Sequence, residues 1–209
     1  MKTKIVKVDS NSPCEKTIEE AAKILKNGGL VVYPTETCYG IGADATNGNA
    51  IKKIYKIKNR DEKKPIGVIL SDINMAKKYG EVTGKIGILI KKFMPGPLNI
   101  ITKKKEGIPD ILSKNEIAFR VSSNKVASNL VKKLNLPITA TSANKSGQPA
   151  IYESKKLIET FKGRVDMIID AGDLPQIMPS TCIDMVNEKL EIKRIGSISK
   201  EDIIKSLDA

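Results

Sequence analysis

The sequence predicts an α/β (α+β) fold: a mixed parallel and antiparallel sheet flanked by helices. Short β-branched runs and amphipathic stretches interleave along the whole chain, the pattern of helices covering a sheet. The last two apolar runs are joined by a hairpin around Asn187-Glu188, which argues against a purely parallel sheet. No repeat, low-complexity stretch or linker divides the sequence.

The elements follow in order. Met1–Val8 alternates charged and apolar residues, so Lys4–Val8 reads as a strand and not as a leader. Ser12-Pro13 opens a helix that Gly28-Gly29 ends. Leu30–Pro34 is a short apolar strand. Asn47 caps a helix to about Lys58, with Ile51, Ile54, Tyr55 and Ile57 on one side. Ile66–Leu70 is a strand, and Ser71–Lys78 and Thr83–Phe93 are helices. Leu98–Thr102 and Ile117–Val121 are strands, Asn124–Leu134 a helix, Pro137–Thr141 a strand and Glu153–Phe161 a helix. Met167–Asp170, Thr181–Val186 and Leu190–Arg194 are strands. Ser199–Leu207 closes the chain as a helix with Ser199 and Asp202 spaced as a capping box.

Composition narrows the chemistry. The 209 residues suit one catalytic domain spanning 1–209 with a sizeable core, and no second domain is expected after Arg194. No apolar run approaches the roughly 20 residues that cross a bilayer, so a soluble cytoplasmic protein without a membrane partner is expected. Cys14, Cys38 and Cys182 are scattered and histidine is absent. That excludes imidazole acid–base schemes, argues against a protein-held metal, and fits a reducing compartment. The net charge of +12 favours polyanionic partners, with a Lys-rich soluble surface as the plain alternative. Of the 36 basic residues only Arg60, Arg120, Arg164 and Arg194 are arginines. A sequence so rich in lysine keeps arginine where a planar fork is needed.

Four segments could carry chemistry. Tyr33–Asp44 reads as a strand end opening into a polar, glycine-containing loop, or as an ordinary turn. Lys56–Pro65 places Lys58, Arg60 and Lys64 at a helix end, as a phosphate clamp or as cations on the helix dipole. No Walker loop occurs. Ile138–Pro149 ends a strand in Thr, Ser and Asn, where backbone N–H groups are expected to form an anion nest, or a plain turn. Pro179–Asp184 with Lys193–Gly196 is a hairpin carrying Arg194. Arg120 lies inside an apolar strand, and a buried guanidinium requires an anion, a carboxylate being its best planar match.

Pro34-Thr35-Glu36-Thr37-x-Tyr39-Gly40-x-Gly42, Lys58-x-Arg60, Pro95-Gly96-Pro97, Arg120-Val121, Ser142-Ala143-Asn144-x-Ser146-Gly147, Ser180-Thr181 and Arg194-x-Gly196 occur in this order. The series resembles the YrdC-like threonylcarbamoyl-AMP synthase family over nearly the whole chain. The resemblance implies a twisted open sheet with a basic concave cleft. It implies that L-threonine, bicarbonate (or CO2) and ATP, with Mg2+ carried by the ATP, give threonylcarbamoyl-AMP and pyrophosphate. A downstream tRNA threonylcarbamoyl transferase then modifies the adenosine following the anticodon. Position by position, Lys58 and Arg60 would act catalytically at the phosphates, and Arg60 with Thr37 would hold threonine and the phosphate region. Arg120, Ala140 and Ser180 would hold threonine. Lys64, Ser142, Asn144, Ala150 and Arg194 would meet the nucleotide. Ile69, Asp61, Ala150 and Ile195 depart from the residues common in relatives. The competing expectation is a non-catalytic protein that binds tRNA or double-stranded RNA through the same basic cleft. A carbamoyl transferase would add zinc-binding cysteine clusters, which are missing.

Overall fold

A computed structural model describes residues 2–208. Its elements in chain order are β1 (Lys4–Lys7), α1 (Glu15–Lys26), β2 (Val31–Pro34), β3 (Tyr39–Gly42), α2 (Gly48–Lys58), β4 (Gly67–Ile69), α3 (Ile73–Tyr79) and α4 (Gly84–Phe93). There follow β5 (Leu98–Lys103), β6 (Glu116–Arg120), α5 (Lys125–Leu134), β7 (Ile138–Ser142), α6 (Ser154–Phe161), β8 (Met167–Asp170), β9 (Thr181–Asp184), β10 (Glu191–Arg194) and α7 (Lys200–Leu207).

The strands form one mixed sheet in the order β1-β8-β2-β3-β7-β4-β6-β5-β9-β10. The β1/β8, β2/β8, β4/β6 and β5/β9 pairs are parallel. The β2/β3, β3/β7, β4/β7, β5/β6 and β9/β10 pairs are antiparallel. The mixed sheet expected from the sequence is therefore the observed one. β7 lies in the middle, bonded to β3 on one side and β4 on the other, and so joins the two halves. Removing apolar side chains from water holds helices and sheet together. Val31, Val32, Ile41, Val68, Phe119, Ile138 and Ile168 of the strands are fully buried, as are Leu25, Ile54, Leu89 and Leu130 of the helices.

Local sequence explains most boundaries. Asn47 Oδ1 accepts from Asn49 and Ala50 N–H, and Asn124 Oδ1 accepts from Val126 and Ala127 N–H, each satisfying orphan donors of a first turn. Asn59 and Asn135 end α2 and α5 in the left-handed conformation that asparagine tolerates. Half of the expected capping box is present: Ser199 Oγ accepts from Asp202 N–H at 3.1 Å, while Asp202 Oδ2 accepts from the Ser199 hydroxyl at 2.7 Å in place of the Ser199 N–H.

Three expectations are corrected. Tyr39–Gly42 is a strand, not part of an open loop. Its glycines hid it, yet they permit it. A Cβ on Gly42 would press into the Tyr33 ring of the paired strand, whose hydroxyl reaches over to donate to Thr139 O. The first helix starts at Glu15, with no side-chain cap, so Ser12-Pro13 lies two residues before it. The helix expected from Ser71 starts at Ile73, because Asp72 is the residue whose carboxylate accepts from Asn74 and Met75 N–H.

Candidate active site

Strand ends from both halves of the sheet converge on a cavity of about 330 Å³. Its lining includes Thr37, Arg60, Arg120, Ala140, Ser142, Ala150, Ser180 and Arg194, drawn from all four chemical segments of the sequence. Three of the four arginines meet here, while Arg164 is exposed elsewhere on the chain. A larger groove of about 890 Å³ between residues 61–65 and 110–116 carries Asp61, Glu62, Asp110 and Glu116 against two lysines, a poor match for a polyanion.

The Thr35–Cys38 turn sets one wall. Thr35 Oγ1 donates to Cys38 O at 2.7 Å and accepts from the N–H groups of Thr37 and Cys38. One hydroxyl thereby closes the β2–β3 connection and points Thr37 into the cavity. Cys38 also lines the cavity, but burial pushes its thiol up, so it is a neutral thiol and not a nucleophile.

The second wall is the end of β7 and the loop beyond it. Lys58, only 1% exposed, donates to Ser142 O at 2.5 Å, Asn144 O at 2.8 Å and Asn144 Oδ1 at 2.8 Å. An ammonium has three donors, and all three are used. Asn144 Oδ1 also accepts from Ser142 Oγ at 2.7 Å, and Asn144 Nδ2 donates to Gln148 O. Lys58 and Asn144 thus lie behind the lining and tie the loop, while Ser142 faces the cavity. Burial, and then repulsion from Arg60, pull the Lys58 ammonium down to about 8. The expected backbone nest is largely consumed by the fold. The N–H groups of Ala143, Asn144, Ser146 and Gln148 donate to Tyr39 O, Ser142 O, Lys58 O and Lys145 O.

Arg60 reaches the cavity from the end of α2. Its Nε donates to Lys64 O at 3.1 Å and Nη2 to Pro65 O at 2.8 Å, which steers the guanidinium. Lys64 contributes this carbonyl, and its exposed side chain lies outside the lining. On the far side, Arg194 donates from Nε (3.2 Å) and Nη2 (2.9 Å) to Ser180 O. Ser180 is 3% exposed and its Oγ has no protein partner. A buried hydroxyl without a protein partner at a cavity wall keeps its hydrogen-bonding capacity unspent.

Arg120 is the last residue of β6 and is 7% exposed. The anion expected beside it comes from the protein itself: Nε is 2.8 Å from Glu36 Oε1. The sequence also hid Asn99, which lines the cavity and lies across from Arg120 in the β5–β6 register that pairs Ile100 with Phe119. Position two past Pro95-Gly96-Pro97 was its only signal. Tyr33, Thr141, Tyr152 and Ile177 are further lining residues that no motif marked.

Gly196 locks the Ser180 side. Its N–H donates to Thr181 Oγ1 at 2.9 Å, and a Cβ there would run into the Pro179 carbonyl and the Ser180–Thr181 peptide. Backbone cannot give way as a flexible side chain does. Gly196→Ala is expected to cost about 3 kcal/mol of stability and to displace Ser180, read as a lower denaturant midpoint together with weaker substrate use.

The family model described as Sua5_yciO_yrdC, telomere recombination, matches residues 23–196. A provisionally named threonylcarbamoyl-AMP synthase of Methanocaldococcus jannaschii is 37% identical over 201 residues, covering 95% of each chain. The threonylcarbamoyl-AMP synthase of Bacillus subtilis is 34% identical over 213 residues, 97% of this chain and 61% of the relative. The crystal structure of Pyrococcus abyssi Sua5 complexed with L-threonine superposes with a TM-score of 0.92 at 32% identity, over 98% of this chain and 61% of that one. The chain therefore spans nearly all of one relative and about three-fifths of the two longer ones.

Proposed function

The chain belongs to the Sua5/YciO/YrdC family, and from that premise we propose that it joins L-threonine, bicarbonate or CO2, and ATP into threonylcarbamoyl-AMP with release of pyrophosphate. The observation that carries the proposal is the convergence of three arginines, Arg60, Arg120 and Arg194, and an unpartnered Ser180 hydroxyl on one cavity. The buried Arg120 suits an amino-acid carboxylate, and Arg60 and Arg194 suit a nucleotide's phosphates.

In this scheme Arg120, Thr37, Ser180 and the Ala140 backbone hold threonine. Arg60, Arg194, Ser142 and Ala150 hold ATP, and Lys58 acts through the loop that presents Ser142. Threonine's nitrogen bonds to the carbon of CO2 and gives up a proton. A carbamate oxygen then attacks the α-phosphorus as the bond to pyrophosphate breaks. Such a transfer needs alignment and positive charge more than a protein nucleophile, which suits a site with a neutral thiol and no imidazole. No carboxylate lines the cavity and, among the described residues, no acidic, cysteine or histidine cluster could hold a metal ion. Mg2+ therefore enters the proposal only as part of the ATP substrate. The product, a mixed carbamic–phosphoric anhydride, must be consumed by a second enzyme, the tRNA threonylcarbamoyl transferase.

The naming of the relatives and the arginine-lined cavity favour this reading over a non-catalytic RNA-binding protein. No helix among the described residues is long and apolar enough to cross a membrane. The purified chain is expected to release pyrophosphate from ATP only when L-threonine and bicarbonate are both present. Release that ignores threonine, or no release with Mg2+ supplied, sinks the proposal.

A further inference from the structure

We propose that Glu36 is a positioning residue for Arg120: it takes the Nε edge of the guanidinium, so that the two Nη groups stay turned to the cavity as a fork for one carboxylate. The inference rests on the assignment of threonine to this cavity and adds how the fork is aimed.

A guanidinium has two usable edges, Nε with one Nη, and the two Nη together. Arg120 Nε and Glu36 Oε1 are both shut off from water, 2.8 Å apart. The N–H does not point along that contact, so neither atom has an aligned hydrogen bond and the attraction is mainly between charges. No protein acceptor among the described residues meets Nη1 or Nη2, yet Arg120 lines the cavity and Glu36 does not. Glu36 therefore stands behind the arginine, not in the substrate's place.

Glu36 is itself held. Ser122 Oγ, in a residue 1% exposed, hydrogen-bonds Glu36 Oε2, and Ser122 Oγ also accepts from Asn124 N–H at 3.2 Å. Asn124 caps α5, so the chain of contacts runs from a helix start through Ser122 and Glu36 to the fork. The Thr35 turn fixes the backbone on either side of Glu36. A long arginine side chain without this support would spend its binding energy on choosing a rotamer.

The position makes an unusual prediction possible. A carboxylate near a substrate carboxylate repels it, so a Glu36 that mattered only by its charge would bind threonine better once neutralised. A Glu36 that aims Arg120 would bind it worse. The test is calorimetric titration of L-threonine into the full chain, its Glu36→Gln and Arg120→Lys variants, and the double variant, with melting temperatures recorded for each. Glu36→Gln is expected to raise the threonine Kd about tenfold while the ATP Kd stays within about twofold. On Arg120→Lys, which has no fork to aim, the same change is expected to shift the threonine Kd by less than about threefold. Unchanged or tighter binding by Glu36→Gln, an equal loss for ATP, or full additivity in the double variant overturns the inference and leaves the proposed reaction standing. A wild-type chain that binds no threonine overturns both.

Discussion

Arg120→Ala is expected to lower kcat/KM for threonine by roughly 100-fold or more while KM for ATP changes less than about threefold. Two charge-assisted hydrogen bonds at about 1.5–3 kcal/mol each account for that size. The loss is expected in KM for threonine, because a carboxylate contact is made equally in the ground and transition states. Stability falls as well. Removing the guanidinium strands the Glu36 carboxylate where only about a tenth of its side chain is exposed, and breaking such a buried pair costs about 3–5 kcal/mol. The variant is therefore assayed below its own melting temperature. Arg120→Lys, which keeps a charge but loses the planar fork, is expected to fall between the two. Equal losses for threonine and ATP would remove Arg120 from the carboxylate.

Lys58→Met is expected to be the second most damaging change. It takes a donor from Ser142 O, Asn144 O and Asn144 Oδ1. Ser142 O keeps Asn144 N–H and Asn144 Oδ1 keeps the Ser142 hydroxyl, so Asn144 O alone is orphaned. One buried orphan acceptor costs about 1–3 kcal/mol, offset in part because the desolvated charge is removed too. A net destabilisation of roughly 1–2 kcal/mol is expected, with kcat/KM for ATP down roughly 100-fold as Ser142 loses its place. Melting temperature and ATP kinetics read the two effects separately.

The same lysine sets a pH signature. Its folded value of about 8 lies below the 10.5 of an unperturbed lysine. Between those values the unfolded chain holds the proton and the folded chain has released it, so this group's contribution to stability rises with pH and is lost as pH falls through about 8. Activity moves the other way. A neutral amine has two donors for three acceptors, so the loop slackens and kcat/KM for ATP declines on the alkaline side with an apparent pKa of about 8. The expected result is an alkaline loss of activity with no matching loss of stability from this residue. A decline that tracks the melting temperature would point to unfolding instead.

Much of the fold was legible in the sequence because strand and helix periods leave local marks. The Asn47, Asn124 and Ser199 caps lay where their side chains satisfy first-turn donors. β3 escaped because Tyr39-Gly40-Ile41-Gly42 has two glycines in four residues, which read as loop in isolation. Only pairing with β2 shows why: the small residues make room for the Tyr33 ring.

The candidate site divides in the same way. Arginine scarcity and the ordered motifs named Arg60, Arg120 and Arg194 from the sequence, and the fold brings those three to one cavity. Local residues could not say which polar side chains face that cavity and which stand behind it. Lys58 and Ser142 belong to motifs of equal weight, yet one spends every donor on the protein and the other faces the cavity. The sequence demanded an anion for Arg120, and only the tertiary structure supplied Glu36, 84 positions away in the chain, alongside the substrate fork. Residue type and spacing determine what chemistry a chain can offer. Which donors remain free to offer it depends on who their neighbours are, and neighbours are set by strand order across the whole sheet.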